Sequence, residues 1–258
     1  MKTRIGILLI AFLALISSAC ETESPYARVE VWLTDAPGDF EQVRIEVLEV
    51  QVHRQSGEQT SGWMTMNTQV GLYDVLTLTN GKAALLGTMD MPAGKISQIR
   101  LKLSNRNSVV IGGETYALRV PSVYQSGINI QVNETVGEEG KYKILLDFDV
   151  AQSVVDHGNG SYSMNPVIRA FSAGNGGSIK GRVVPAHSSP AVYAILGTDT
   201  IASAYTDESG EFLLQGLPAG KYSVAFAPRS GYLNAIIEDV VVQPDQQAGV
   251  GEVALIIN

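Results

Sequence analysis

Apolar and polar residues alternate with a period of two along most of this chain. Val29, Val31 and Leu33 alternate with Arg28, Glu30 and Trp32, a pattern that predicts a strand with one face buried and Trp32 on the other. After the polar stretch Asp35-Ala36-Pro37-Gly38-Asp39-Phe40 the alternation resumes at Val43, Ile45 and Val47, then slips by one to Leu48, Val50 and Val52. A slip within one strand would turn every later apolar residue to the wrong face, so a β-bulge is expected at Val47-Leu48. Clean alternation returns at Ile99, Leu101 and Leu103, at Ile128, Ile130 and Val132, and at Ile144, Leu146, Phe148 and Val150. Residues 109–111 and 115–118 flank Gly112-Gly113 and read as a hairpin, because glycine accepts the positive φ of tight turns. The period is weaker over 72–91, where 83–86 fits a helical turn or an irregular strand. Residues 164–171 read as a last strand of this half.

Ser172-Ala173-Gly174-Asn175-Gly176-Gly177-Ser178 has almost no side-chain mass and marks a domain boundary. Beyond it, short strand candidates recur at 179–184, 191–196, 201–205, 211–215, 221–227, 236–242 and 252–257, the spacing of a β-sandwich. The chain thus reads as all-β with two β-sandwich domains, over 27–173 and 179–258, joined by a glycine-rich linker at 174–178. A short echo links the halves. Met91-Pro92-Ala93-Gly94-Lys95 and Leu217-Pro218-Ala219-Gly220-Lys221 each open an alternating segment, with proline presetting φ for a turn. Duplication and convergent turn chemistry explain the echo equally well.

The N-terminus changes the picture. Lys2 and Arg4 precede an apolar run over 5–16, too short to span a bilayer as a mature helix but suited to a signal peptide over 1–19. Ser17-Ser18-Ala19 then precede Cys20, the only cysteine. Small residues before such a cysteine resemble the lipobox of bacterial lipoproteins, although Ser17 stands where that box usually has leucine. The resemblance implies a lipid on Cys20, a polar tether over 20–26 and attachment to the cell envelope. Glu21 follows the cysteine, so the aspartate signal for inner-membrane retention is absent and the outer membrane is expected. A lone thiol forms no internal disulfide. With 18 basic and 26 acidic side chains the formal charge is −8, and no basic cluster is present to displace counterions from a polyanion. Nucleic acid is therefore excluded as an expected partner.

Candidate chemistry is sparse. Asp35 and Asp39 bracket Pro37-Gly38, and turn formation alone explains these residue types, with aspartate accepting backbone N–H bonds. The alternative is calcium held by Asp35, Asp39, Asp147 and Asp149, the last two facing away from the core because they alternate with Leu146 and Phe148. No other cofactor is indicated. His53, His157 and His187 lack metal-ligand spacing, and no Gly-x-Ser-x-Gly elbow occurs. Trp32, Trp63, Tyr124, Tyr162 and Tyr232 are candidate ligand-contact aromatics, able to stack on sugars or anchor a protein partner.

Four blocks carry a resemblance: "LTDAPGDF" from Leu33, "GLYDVLTLTNGKAALLG", "MPAGKISQIRLKLS", and "LLDFDVAQSVV" followed by "GNGSYSMNPVIRAF". Over about 27–171 the chain resembles the family called domain of unknown function 4382, found in bacterial lipoproteins and secreted proteins. The resemblance brings no activity and no catalytic residue. From Ser178 onward, "TDESGEF" and "LPAGKYSV" resemble carboxypeptidase regulatory-like domains, which implies a transthyretin-like or immunoglobulin-like sandwich. Such modules are usually non-catalytic appendages of surface proteins, and some sandwiches of this class bind carbohydrate. The expected function is a non-catalytic surface lipoprotein acting in binding, adhesion or assembly, with glycan capture as the alternative.

Overall fold

The computed structural model describes residues 26–36, 40–55, 62–173, 176–228 and 231–258. Cys20, Asp39 and the expected signal peptide lie outside these residues. In the first half the strands are β1 (Ala27–Ala36), β2 (Gln42–Gln55), β3 (Gly62–Thr65), β4 (Asn67–Thr68), β5 (Gly71–Asp74), β6 (Ala84–Met91), β7 (Gly94–Leu103), β8 (Ser108–Ile111), β9 (Glu114–Arg119), β10 (Ile128–Val136), β11 (Lys141–Asp149), β12 (Val154–Asp156), β13 (Tyr162–Met164) and β14 (Ile168–Ser172). The second half holds β15 (Gly177–Val184), β16 (Ala191–Leu196), β17 (Asp199–Tyr205), β18 (Glu211–Leu217), β19 (Gly220–Ala227), β20 (Ala235–Val242) and β21 (Gln247–Ala254). Among the described residues no helix is long and apolar enough to cross a membrane.

The first domain packs a five-stranded sheet, ordered β14-β11-β1-β6-β4, against a nine-stranded sheet that follows β10-β7-β2-β8-β9-β13-β12, with β3 and β5 added alongside β2. Alternation builds the core between them. Val29, Val31 and Leu33 of β1 and Ile144, Leu146 and Phe148 of β11 meet Val43, Ile45, Val50 and Val52 of β2 and Ile99 and Leu101 of β7, all fully buried. Each such side chain contributes about 1.5–3 kcal/mol by leaving water. The second domain packs β18-β15-β21 against β17-β16-β19-β20. Its core includes Phe212 and Phe226, whose rings meet edge-on at 5.6 Å.

The two domains share a local plan. In each, the first strand lies between an antiparallel neighbour (β6 or β18) and a parallel one (β11 or β21). The two Pro-Ala-Gly turns occupy equivalent places, leading from β6 into β7 and from β18 into β19, and so from one sheet to the opposite one.

Sequence and structure agree at the bulge. Val47 pairs with Leu103 and Glu49 with Lys102, which leaves Leu48 as the extra residue. Leu48 is 39% exposed, so the bulge turns it out instead of placing it in phase with Val50. The hairpin at Gly112-Gly113 forms between β8 and β9. Residues 84–91 are strand, not helix. The single strand expected over 164–171 is two, β13 and β14, with Pro166 between them, because proline offers no N–H to a ladder. Val150 leaves the β11 alternation and starts one turn of helix, Val150–Ser153.

Candidate functional site at the junction of the two domains

The most perturbed polar groups lie where the domains meet. Parallel pairing sets Thr34 opposite Asp147 and Asp35 opposite Phe148. Asp147 stands on the face of β11 that points away from the first core, as its alternation requires. It is nevertheless buried, 9% exposed, and lines the cleft against Tyr193, Thr200 and Ser203 of the second domain. Asp147 thus faces away from the first core, and the second domain covers that part of the sheet.

Arg169, on β14 directly across from Asp147, answers that burial. Its Nη2 donates to Asp147 Oδ2 at 2.8 Å and to the main-chain carbonyl of Gln215 at 3.0 Å, and its Nη1 to the carbonyl of Gly216 at 3.5 Å. One guanidinium thus ties two strands of the first domain to β18 of the second. Gly216 has φ +65°, and a Cβ there would lie 2.3 Å from the Phe171 ring, so the close approach of the two domains requires glycine. A second tie comes from the turn before β6. Asn80 Nδ2 donates to the Glu211 carbonyl at 3.3 Å. Nearby, burial pushes the Asp207 carboxyl up, but hydrogen bonds from Ser209 Oγ, Glu211 N and Ser209 N to one of its oxygens, with a smaller contribution from Asn80, hold it below its usual range.

Asp35 is the outlier. It lies in phase with Val31 and Leu33 at the end of β1, 7% exposed, and its N–H donates to Leu78 O at 3.1 Å. Among the described residues neither carboxylate oxygen has a hydrogen bond of normal geometry, although the Val150 backbone N–H acts on the carboxyl, and Asn80 Oδ1 in the same cavity is equally buried and unpaired. Asp35 is the last but one residue of β1, and the turn residues that follow it lie outside the described residues. Burial first, then the Asp147 charge, push its carboxyl well above the usual range; the Val150 backbone N–H opposes them, and Asp149 and Asp74 add smaller upward pushes. Burial likewise raises Asp147, against the charge and hydrogen bond of Arg169. Asp149 caps the short helix, accepting from Gln152 N at 2.9 Å and from the Gln152 side chain at 2.6 Å. Among the described residues no three His, Cys, Asp or Glu groups converge as a metal-binding cluster.

The five aromatics do not form one platform. Trp32 lies outward on β1, donating to Glu30 at 3.0 Å, with the Lys143 ammonium 4.5 Å from its ring centre. Burial pushes Glu30 up, but hydrogen bonds from Lys141 and Trp32 and the charges of Lys141 and Arg28 outweigh it and hold the carboxyl below its usual range. Trp63 sits in β3 on the other sheet, with Arg100 3.8 Å over its ring and His53 at its edge. Tyr124 occupies a single 3-10 turn and reaches Asn165. Tyr162, expected at the surface, is buried on β13 against Tyr116, because parallel pairing with β9 draws it inward. Tyr232 bridges Ile257 and bonds His187 at 2.8 Å. The other imidazoles also face hydroxyls, His53 on Ser97 at 2.7 Å and His157 on Ser163 at 2.8 Å.

Arg169 and Asn80 were not singled out by the sequence. The signal for Arg169 is a lone cation in the otherwise apolar Val167-Ile168-Arg169-Ala170-Phe171. For Asn80 it is an Asn-Gly pair, which reads as a turn and says nothing of what the turn touches.

Solved structures resemble the chain only loosely. A type II cohesin–X–dockerin complex from Acetivibrio cellulolyticus matches at TM-score 0.26 and 19% identity, over 32% of this chain and 58% of that one. The major pilin subunit of Bacillus cereus matches at 0.27 and 9%, over 90% and 71%. A fimbrial protein from Bacteroides ovatus matches at 0.26 and 10%, over 90% and 50%. No curated protein matches. Residues 178–255 match the carboxypeptidase regulatory-like domain. Residues 26–166, more than half of the chain, match the family described as Domain of unknown function (DUF4382), and the chain belongs to that family.

Proposed function

We propose that the protein is a non-catalytic lipoprotein of the outer membrane, anchored through Cys20, whose two β-sandwich domains act as one stiff unit in binding, adhesion or assembly at the cell surface. One observation carries this reading. The buried charged pair Asp147–Arg169, which in an enzyme would be a natural place to look for chemistry, spends its hydrogen bonds on joining the domains. A fixed junction suits a module that holds a binding surface away from its anchor. Its partner is then a glycan or another surface protein.

Glycan capture is the alternative, and the outer face of β2, β3 and β7 favours it. There Arg100 bonds Asn129 at 2.9 Å and Gln51 at 3.3 Å beside the Trp63 indole. Planar amides next to an aromatic ring are the usual furniture of sugar sites, though Arg100 covers one face of this ring.

The test is the intact mass of the protein purified from membranes, beside a Cys20→Ala variant, with fractionation and protease treatment of whole cells. Acyl chains on the wild type, outer-membrane location and surface cleavage support the reading. An unacylated, freely soluble protein overturns it. A glycan array with wild type and Trp63→Ala separates the two partner classes.

A further inference from the structure

We propose that the small cavity closed between the two domains at Asp35 and Asn80 is a calcium site. The cavity has a volume of about 20 Å³ and is lined by Thr34, Asp35, Asn80, Asp147, Arg169 and Gln215, among others. That is room for one water or one bare ion. Three buried oxygens at this place, both of Asp35 and Oδ1 of Asn80, lack a hydrogen bond of normal geometry among the described residues. Leaving buried acceptors unpaired is costly, and three on adjoining residues is the arrangement a cation relieves. A single water has only two protons to offer them.

The chemistry of the lining selects the ion. Among the described residues, every lining side chain with a free lone pair is an oxygen donor, and no imidazole or thiol lines the cavity. That favours a hard cation over zinc. Magnesium keeps several waters in a strict octahedron, for which there is no space, whereas calcium accepts irregular shells and a bidentate carboxylate. Asp35 supplies two oxygens and Asn80 one. Thr34, whose Oγ1 donates its own proton to main-chain carbonyls, lines the same cavity with Asp147, Ser203 and Gln215, and their oxygens bring the donors of the lining to the six or more that calcium takes. Charge agrees. Arg169 balances Asp147, Asp35 has no counter-ion, and Asp149 and Asp74 add negative potential at it. Bound there, calcium would join the end of β1 to the Asn80 turn, which itself holds Glu211 of the second domain. The ion would stiffen the junction.

The full chain carrying Cys20→Ala, stripped with chelator, is titrated with CaCl₂ in a calorimeter and melted with and without the ion. One calcium per chain is expected, and a rise in Tm of roughly 5–10 °C when calcium is about a hundredfold above Kd. Asp35→Asn keeps the shape with a neutral side chain in the same buried place, so it folds, and it should lose the calcium response. Asp90→Asn, on the exposed Arg28 pair, should keep it. No heat and no Tm shift in the wild type overturns the proposal. An equal response in Asp35→Asn also overturns it, because the ion would then sit elsewhere.

Discussion

Asp147 and Arg169 face each other across β11 and β14 at 2.8 Å, and the same guanidinium reaches 3.0 Å to the Gln215 carbonyl of the second domain. Both partners are largely buried, with side-chain exposures of 12% and 29%. A buried pair of this kind adds little net stability over apolar packing, but losing one partner strands the other. Arg169→Met should therefore cost about 3 kcal/mol, and Asp147→Asn/Arg169→Met should recover much of it. Urea denaturation of the three variants measures both.

Asp149 has a separate task. It caps Val150–Ser153 through Gln152 N, so Asp149→Ala should cost about 1 kcal/mol. The calcium response, if carried by Asp35, should survive. Thermal melts with and without calcium check both points.

Gly216 governs how closely the domains meet. Gly216→Ala meets both a left-handed backbone and the Phe171 ring at 2.3 Å, and should destabilise by at least about 1 kcal/mol. Gly112→Ala, with φ +59° and open space around its Cβ, bears the backbone strain alone and should cost less. Denaturant midpoints compare them.

Stability of the metal-free protein should fall as pH rises from 5 to 7. The folded Asp35 carboxyl lies well above its ordinary 3.8, so between those values the native state holds a proton that the unfolded chain has lost. The contribution is complete below 3.8 and disappears as pH climbs through the raised folded value. Asp147, itself raised by burial, acts in the same sense. The acids held low, Glu30 and Asp207, lose their contribution only at lower pH. Asp35→Asn should flatten the slope, as read from urea midpoints at pH 5 and 7 in chelator.

Most strands were legible because burial on one face leaves a period of two. Val29, Val31 and Leu33 declared β1, and the slip after Val47 declared the bulge. Leu48 shows the limit: its apolar character placed it in the core, yet the unpaired residue of the bulge turns out. The junction was less legible. Asp147 alternates as a residue facing away from its own core, and nothing within its own strand says that a second domain will cover it. Asp35 follows the core phase of Leu33, but the neighbouring Pro-Gly made a turn the simpler account. Arg169 and Asn80 carry their meaning only through residues 215 and 211, far away in sequence. Local pattern encodes which face is buried, and not what lies against it.

The claim at the centre of this account is that Asp147 and Arg169 hold the two domains as one unit. Scanning calorimetry of wild type and Arg169→Met tests it most directly. The wild type should unfold in a single transition, and the variant in two, as the domains lose their tie and melt separately. A single, unshifted transition in Arg169→Met would contradict the account.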